Sequence, residues 1–114
     1  MNGFDKTRRL LKKSDYDYVF AQAKKVVTSE FIFLYRNNSL GYARLGLALS
    51  KKIIPKAHDR NRLKRLLRET FRVNPLPAID VIVLARPGVA NVENKVMNTK
   101  LGKTWAKLIA LSAT

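Results

Sequence analysis

Arg60, Asn61, Arg62, Lys64, Arg65 and Arg68 fall within nine consecutive residues. The planar guanidinium fork of arginine matches the paired oxygens of a phosphodiester and the acceptor edges of bases. Lysine adds a compact point charge. Such a cluster can hold a polyanion, and it is badly equipped to break a bond. A metal-free ribonuclease needs a general base and a general acid of suitable pKa. This chain has one histidine, His58, and no cysteine. Asp59 and Glu69 lie inside the basic stretch, where ion pairing or helix capping is the expected role. His58 is expected to cap the helix or to touch a phosphate. No phosphate-cradling glycine loop, zinc spacing or paired carboxylate motif occurs. No residue is assigned to catalysis or to a metal.

The whole chain is biased the same way. Its 114 residues hold 23 Lys+Arg against 8 Asp+Glu, a formal net charge of +15. Residues 51–72 carry nine of those cations and two acids, so nearly half the excess sits in one fifth of the length. A compact state this unbalanced repels itself, and a polyanionic partner relieves it. Nucleic acid is the first candidate, because phosphate contacts release condensed counterions; a membrane surface is the second. A hydrophobic fraction of 46% predicts folding, and the length suits a single domain over 1–114. No stretch approaches eighteen apolar residues, and the first fifteen lack the apolar run of a secretory signal. Asp5, Asp15 and Asp17 argue against a transit peptide. A cytoplasmic location is expected.

These side chains need elements to carry them. Ser14 is a good N-cap for a helix over 14–23, with Asp15 and Asp17 at its positive end and Ser14 with Asp17 as a loose capping box. Tyr16, Val19, Phe20 and Ala23 share one face at helical spacing. Residues 30–36 (EFIFLYR) read as a strand, with Phe31, Phe33 and Tyr35 on one side and Ile32 and Leu34 on the other. Turn chemistry at 37–41 leads into a second strand over 43–50, and the short loop predicts an antiparallel hairpin. The basic helix follows Pro55 with Asp59 near its start. At about 100° per residue, Leu63, Leu66, Leu67, Thr70 and Phe71 fall in one arc. Asn61, Lys64, Arg65, Arg68 and Arg72 fill the adjoining one. Residues 79–86 (IDVIVLAR) form an apolar run suited to a strand covered on both faces. A last helix over 92–111 buries Met97, Leu101, Trp105 and Leu108. The expected class is α+β.

Tyr16 and Phe20 admit two readings. Periodicity makes them core residues against the sheet. Alternatively they line a cleft between helix and sheet, where bases of an unpaired strand could stack.

The segment from Ser50 to Arg72, SKKIIPKAHDRNRLKRLLRETFR, resembles the signature of the bacterial ribonuclease P protein family. Its centre is Arg60-Asn61-Arg62 followed by Leu63-Lys64-Arg65 and Arg68. Arg44-Leu45-Gly46-Leu47 leading to Ser50-Lys51-Lys52 is similar to the strand and loop that precede the motif. Arg9 to Lys13 with Asp15-Tyr16 and Val19-Phe20 resembles the family's first helix, and residues 80–86 its later strand. The resemblance implies a small α-β sandwich of α-β-β-β-α-β-α order, related to a ribosomal-protein domain. It also implies a left-handed βαβ crossover, against the usual rule of hand. A further early strand is then expected, bounded within 24–29 or 40–42.

In that family a catalytic RNA performs hydrolysis with magnesium, and the protein binds that RNA and the 5′ leader of precursor tRNA. Arg60, Asn61, Arg62, Lys64, Arg65 and Arg68 are thereby expected to face the catalytic RNA and the substrate junction, supported by Lys51 and Lys52. Tyr16, Phe20, Ile32 and Leu34 are expected to hold the leader, leaving Phe31 and Phe33 for the core. Tyr at 16 and Leu at 34 depart from many relatives. The implied Mg2+ is held mainly by the RNA subunit. The partners are catalytic RNA and precursor tRNA in a 1:1 ribonucleoprotein, with no membrane. The rival readings are a general RNA-binding or ribosome-associated protein, and a membrane-surface or DNA-compacting protein. A leader-dependent effect on precursor cleavage separates the first rival, and the lack of a long amphipathic basic tail counts against the second.

Overall fold

The computed structural model describes residues 6–112. A short 3-10 turn at Lys6–Arg8 leads into helix α1 (Lys13–Ala21). Strands β1 (Lys24–Val27), β2 (Phe31–Asn37) and β3 (Arg44–Ala48) follow. Helix α2 (Ala57–Arg72), strand β4 (Ile79–Ala85), a 3-10 turn at Val89–Asn91 and helix α3 (Asn94–Ser112) complete the order. The early strand required by the α-β-β-β-α-β-α order is therefore Lys24–Val27.

The sheet runs β1-β2-β4-β3. β2 is antiparallel to both β1 and β4, while β3 is parallel to β4, so β3–α2–β4 is the parallel crossover unit. The expected hairpin between the second and third strands does not form, because β4 lies between them. The reason is burial. Ile79, Asp80, Val81, Ile82 and Val83 are all buried, and a strand apolar on both faces gains most in the sheet interior. The loop after β2 steps across the end of β4 instead of turning back. Asn38 Nδ2 holds it there, donating to Asp80 Oδ1 at 2.8 Å and to the Tyr42 carbonyl at 3.1 Å.

Helices cover the two faces of the sheet. On one, Phe31, Phe33, Tyr35, Val81 and Val83 join Leu63, Leu67 and Phe71 of α2 and Met97, Leu101, Trp105 and Leu108 of α3 in the main core. Trp105 sits edge-on to Phe33 and Phe71, with ring centroids at 5.3 and 5.4 Å. Its indole N–H donates to Thr70 Oγ1 at 2.8 Å, so the packed pair also satisfies its one polar atom. On the other face α1 lies across the sheet. Val19 is fully buried with Leu10 and Ile82, and Tyr16, Leu34, Ala48 and Leu84 pack against them. The alternation along β2 thus delivers Phe31 and Phe33 to the core and Ile32 and Leu34 to the α1 side, as expected.

The start of α1 differs from the sequence reading. The cap position is Lys12, and Ser14 lies inside the first turn. Asp15 accepts the Lys12 amide at 3.4 Å, and Asp17 pairs with Lys13 at 2.8 Å. With the helix starting at Lys13, Asp15 is its third residue, and its carboxylate reaches back to the amide of the cap residue Lys12. Residues Arg9 and Leu10 are not helical either. Arg9 bridges to Leu45, and the Leu10 amide donates to the Leu45 carbonyl at 2.9 Å, laying the N-terminal segment along the outer edge of β3. Asp5 lies outside the described residues.

Candidate nucleic-acid interface

α2 is amphipathic in the sense that its sequence predicts. Leu63, Leu67, Thr70 and Phe71 are buried, Leu66 partly so, while Asn61, Arg65 and Arg72 are exposed. Asp59 occupies the first turn, where the helix dipole favours an anion. Two structural expectations for its neighbours fail, capping by His58 and ion pairing by Glu69. The cap position is Lys56, and His58 lies within the helix, largely exposed, with its Nδ1 3.5 Å from Asp59 Oδ1. Glu69 makes no ion pair among the described residues and borders a groove instead.

The motif residues divide by what they touch. Arg60 donates to the carbonyls of Ile54 and Pro55 at 2.8 and 3.0 Å. Those bonds fasten the turn after β3, on which Lys51 and Lys52 stand exposed and Ile54 is buried. Arg62 reaches the other way. Its guanidinium donates to the Ala90 and Val92 carbonyls at 2.8 and 3.2 Å and to Asn94 Oδ1 at 2.7 Å, joining α2 to the approach of α3. Arg62 thus engages both terminal nitrogens within the chain, and Arg60 one of its two. Asn61, Lys64, Arg65 and Arg68 have no such bond among the described residues. No lysine or arginine of α2 forms a salt bridge within the described residues.

Two concavities flank the helix. The outer groove, about 610 Å³, is bordered by His58, Asn61, Arg62, Arg65, Glu69 and Asn94. The inner recess, about 160 Å³, is bordered by Lys64 and Arg68 of α2, Arg9, Tyr16, and the apolar side chains of Leu10 and Leu47. Burial and the nearby Arg9 guanidinium push Arg68 below the ordinary range of an arginine. Burial raises the Tyr16 phenol, opposed by a hydrogen bond with the Leu47 backbone and by the charge of Arg68.

Beyond the recess lies the open part of the α1 face. Tyr16 is half-buried, and Phe20 is 50% exposed with its ring centroid 6.4 Å from that of Tyr16. Helical spacing cannot tell Val19 from Phe20, and the structure separates them: Val19 anchors α1 while Phe20 stays outside. Strand register gathers the other residues. Leu34 stands opposite Lys25 on one side and Ile82 on the other; Ile32 stands opposite Val27 and Leu84. Ile32 and Leu34 are both half-buried, Leu34 within the cluster around Val19. Tyr18 fixes the helix above them. Its hydroxyl donates to the Asn37 carbonyl at 2.7 Å, and the Arg36 guanidinium lies 3.8 Å from its ring centroid. The structure thus brings Tyr16, Phe20, Ile32 and Leu34 to the α1 face of the sheet, and of these Tyr16 reaches the α2 side chains Lys64 and Arg68.

Sequence reading missed several members of this surface. Lys25 and Val27 share the face through register, and the alternation of KKVV would have revealed them once the edge strand was placed. Arg9 reaches α2 only through a single bridge to β3, for which the sequence carries no local signal.

Fold and surface together define a small basic α+β protein that displays its excess charge along one helix and beside an apolar sheet face. Comparison with known proteins gives it a family. The ribonuclease P family pattern matches residues 4–109. The ribonuclease P protein component of Legionella pneumophila (strain Corby) is 67% identical over 108 residues, covering 95% of each chain. That of Escherichia coli O157:H7 (strain EC4115 / EHEC) is 43% identical, covering 91% of this chain and 89% of the relative. Among solved structures, the Staphylococcus aureus RNase P protein superposes with a TM-score of 0.80 at 28% identity, over 90% of this chain and 97% of that one. The Thermotoga maritima RNase P protein gives 0.75 at 31%, over 87% and 96%. The chain belongs to the ribonuclease P protein family. It shares that family's α+β fold, with a four-stranded mixed sheet and three helices.

Proposed function

We propose that this chain is the protein subunit of a ribonucleoprotein that removes the 5′ leader of precursor tRNA, with hydrolysis performed by its RNA subunit. The observation that carries this reading is α2 itself: a helix with five arginines and a lysine, none in an ion pair among the described residues, beside a sheet face roofed by Tyr16 and Phe20. Cations left without carboxylate partners are available to phosphates, and each phosphate contact releases counterions. An apolar face with half-exposed aromatics suits the unpaired bases of a single strand. In this reading Asn61, Lys64, Arg65 and Arg68, with Lys51 and Lys52, contact RNA directly. Arg60 and Arg62 contribute charge while holding the helix in place. Tyr16, Phe20, Ile32 and Leu34 receive the leader.

Among the described residues no group of three or more histidine or acidic side chains is gathered to hold a metal. In this reading magnesium is held mainly by the RNA subunit. Among the described residues no helix is long and apolar enough to cross a membrane. The proposed setting is a 1:1 complex in the cytoplasm. The test is reconstitution with a bacterial catalytic RNA at low magnesium, with and without the chain. Faster cleavage of precursor tRNA, growing with leader length, is expected. Binding to RNA without any effect on cleavage would favour a general RNA-binding role instead.

A further inference from the structure

We propose that the outward face of α3 is a second RNA-binding surface, which holds a double-helical segment of the catalytic RNA through its phosphates alone. This rests on the function proposed above, and the surface lies across the sheet from the face that α1 covers. α3 carries four lysines, no arginine and no acidic residue. Burial of Met97, Leu101, Thr104, Trp105 and Leu108 fixes which side of it is turned in. At about 100° per residue, Lys95, Lys103 and Lys107 fall within about 120° on the side turned out, with Thr99, Ala106 and Ala110 between them. All six are exposed. Trp105 leans on Phe71 of α2, whereas Lys100 reaches Glu30 just before β2. Lys103 and Lys107 follow Lys100 on that flank, so they look away from α2. The edge strand β1 adds a cation: exposed Lys24 shares the side of the strand on which Val26 enters the core with α3.

The charge on this face is not cancelled within the chain. Lys24, Lys95, Lys103 and Lys107 form no salt bridge among the described residues. Glu30 is already taken up, by Lys100 at 2.9 Å and Ser29 at 2.6 Å. Glu93 stands ahead of the first turn, about 15 Å along the axis from Lys103. The kind of cation matters as much as the number. An ammonium is a compact point charge without the planar fork that reads base edges. Nor does α3 offer a ring for stacking, since its one aromatic, Trp105, is fully buried. Charges without stacking or edge-reading groups suit phosphates held in a fixed array, which a duplex presents and an unpaired strand does not. Lys95 to Lys107 spans about 18 Å of axis, enough to meet several phosphates of one helix. An apolar partner finds little here, because Val96 and Leu111, the exposed large apolar side chains of α3, stand about 22 Å apart along it. The catalytic RNA is the source of the duplex because α2, which meets it in the proposed function, packs directly against α3. The leader lies beyond the sheet.

The test uses the full chain with a bacterial catalytic RNA. Lys95→Gln, Lys103→Gln and Lys107→Gln are combined in one variant, and the same three positions are changed to Arg in another. Affinity for the catalytic RNA is read across a salt titration. The glutamine variant should lower the salt slope by about two to three, near one per lost phosphate contact, and weaken binding about tenfold or more. The arginine variant should bind within about twofold of wild type, since charge alone is needed. Melting midpoints and the ratio of precursor to mature tRNA affinity should stay level in both. Contact is read separately, by acetylating the wild-type chain with and without RNA and locating the modified lysines by mass spectrometry. Lys95, Lys103 and Lys107 should be shielded several-fold by the catalytic RNA and by a blunt RNA duplex, but not by an unpaired strand of the same length. An unchanged salt slope, or equal acetylation with and without the catalytic RNA, overturns the proposal. Equal shielding by the unpaired strand refutes the duplex. Shielding by phosphatidylglycerol vesicles with none by the catalytic RNA would make the face a membrane contact and overturn the proposal as well. A wild-type chain that neither binds the catalytic RNA nor speeds precursor cleavage would instead overturn the function on which it rests.

Discussion

The hydroxyl of Tyr16 lies 2.8 Å from the point where any side chain at position 46 would place its Cβ, and only glycine stands there. Leu10 Cβ crowds the same point at 3.0 Å. The absence of one carbon on β3 therefore lets the first aromatic of α1 settle onto the sheet. Gly46→Ala should push Tyr16 outward and cost about 1–3 kcal/mol of stability, the usual penalty of overpacking. Tyr16→Ala in the same chain should recover part of that loss, so a denaturant double-mutant cycle should show coupling between the two sites. Strict additivity would mean that the contact does not govern the packing.

Phe20 and Val19 are adjacent in sequence and should behave as opposites. Phe20 is half-exposed, so Phe20→Ala should leave the denaturation midpoint nearly unchanged. It should weaken precursor tRNA binding by about 1–3 kcal/mol, the worth of one stacked base, while mature tRNA binding stays level. Val19→Ala empties a fully buried site and should cost about 1–3 kcal/mol of stability. Leader-length series and urea melts on both variants check the pair.

Arg62 and Arg65 separate structure from recognition within one motif. Arg62→Ala removes donors from two carbonyls and the Asn94 side chain, and should destabilise the fold by about 1–3 kcal/mol. Arg65→Ala touches no partner among the described residues and should leave the melting midpoint in place. It should lower the salt slope of RNA binding by about one phosphate contact. Equal melting losses in the two variants would contradict this division.

Asp80 is the buried ion of the sheet. Both arms of Arg44 donate to its carboxylate, at 2.9 and 2.8 Å, and Asn38 adds a third bond at 2.8 Å. Arg44→Ala leaves that carboxylate buried without its cation and should cost about 3–5 kcal/mol, measured by denaturant unfolding.

Glu30 gives a pH signature. Burial alone would raise its carboxyl, but hydrogen bonds from Ser29 and Lys100, at 2.6 and 2.9 Å, outweigh it and hold the group below its ordinary value. A depressed folded-state pKa contributes stability that is complete above the unfolded value and lost as pH falls through the folded one. Glu30→Gln should therefore narrow the stability gap between pH 7 and pH 3. An unchanged pH profile would remove Glu30 from the acid response.

Much of this could be read from residue order because the signals were local. The basic arc of α2, the buried stripe Met97–Leu101–Trp105–Leu108 and the two faces of β2 all follow from period and polarity. What could not be read was set between distant residues. The hairpin expected around residues 37–41 fails because β4, some forty residues later, takes the place between its arms. Ser14 was a sound cap by type, yet Asp15 reaches the open amide. The split of α2's cations was equally hidden. Arg62 and Arg65 look alike in sequence, and only the carbonyls of Ala90 and Val92 tell them apart.

The packing of Trp105 gives the chain a built-in optical probe. It is the only tryptophan in the sequence, and its indole rests on Phe71 and bonds to Thr70, both in the last turns of α2. Indole emission is sensitive to the loss of such a bond and of such neighbours. A shift in the seating of α2 would change fluorescence with no added label. RNA that only decorates the outward cations should leave the emission maximum where it stands. RNA that levers the helix off the core should move it to the red.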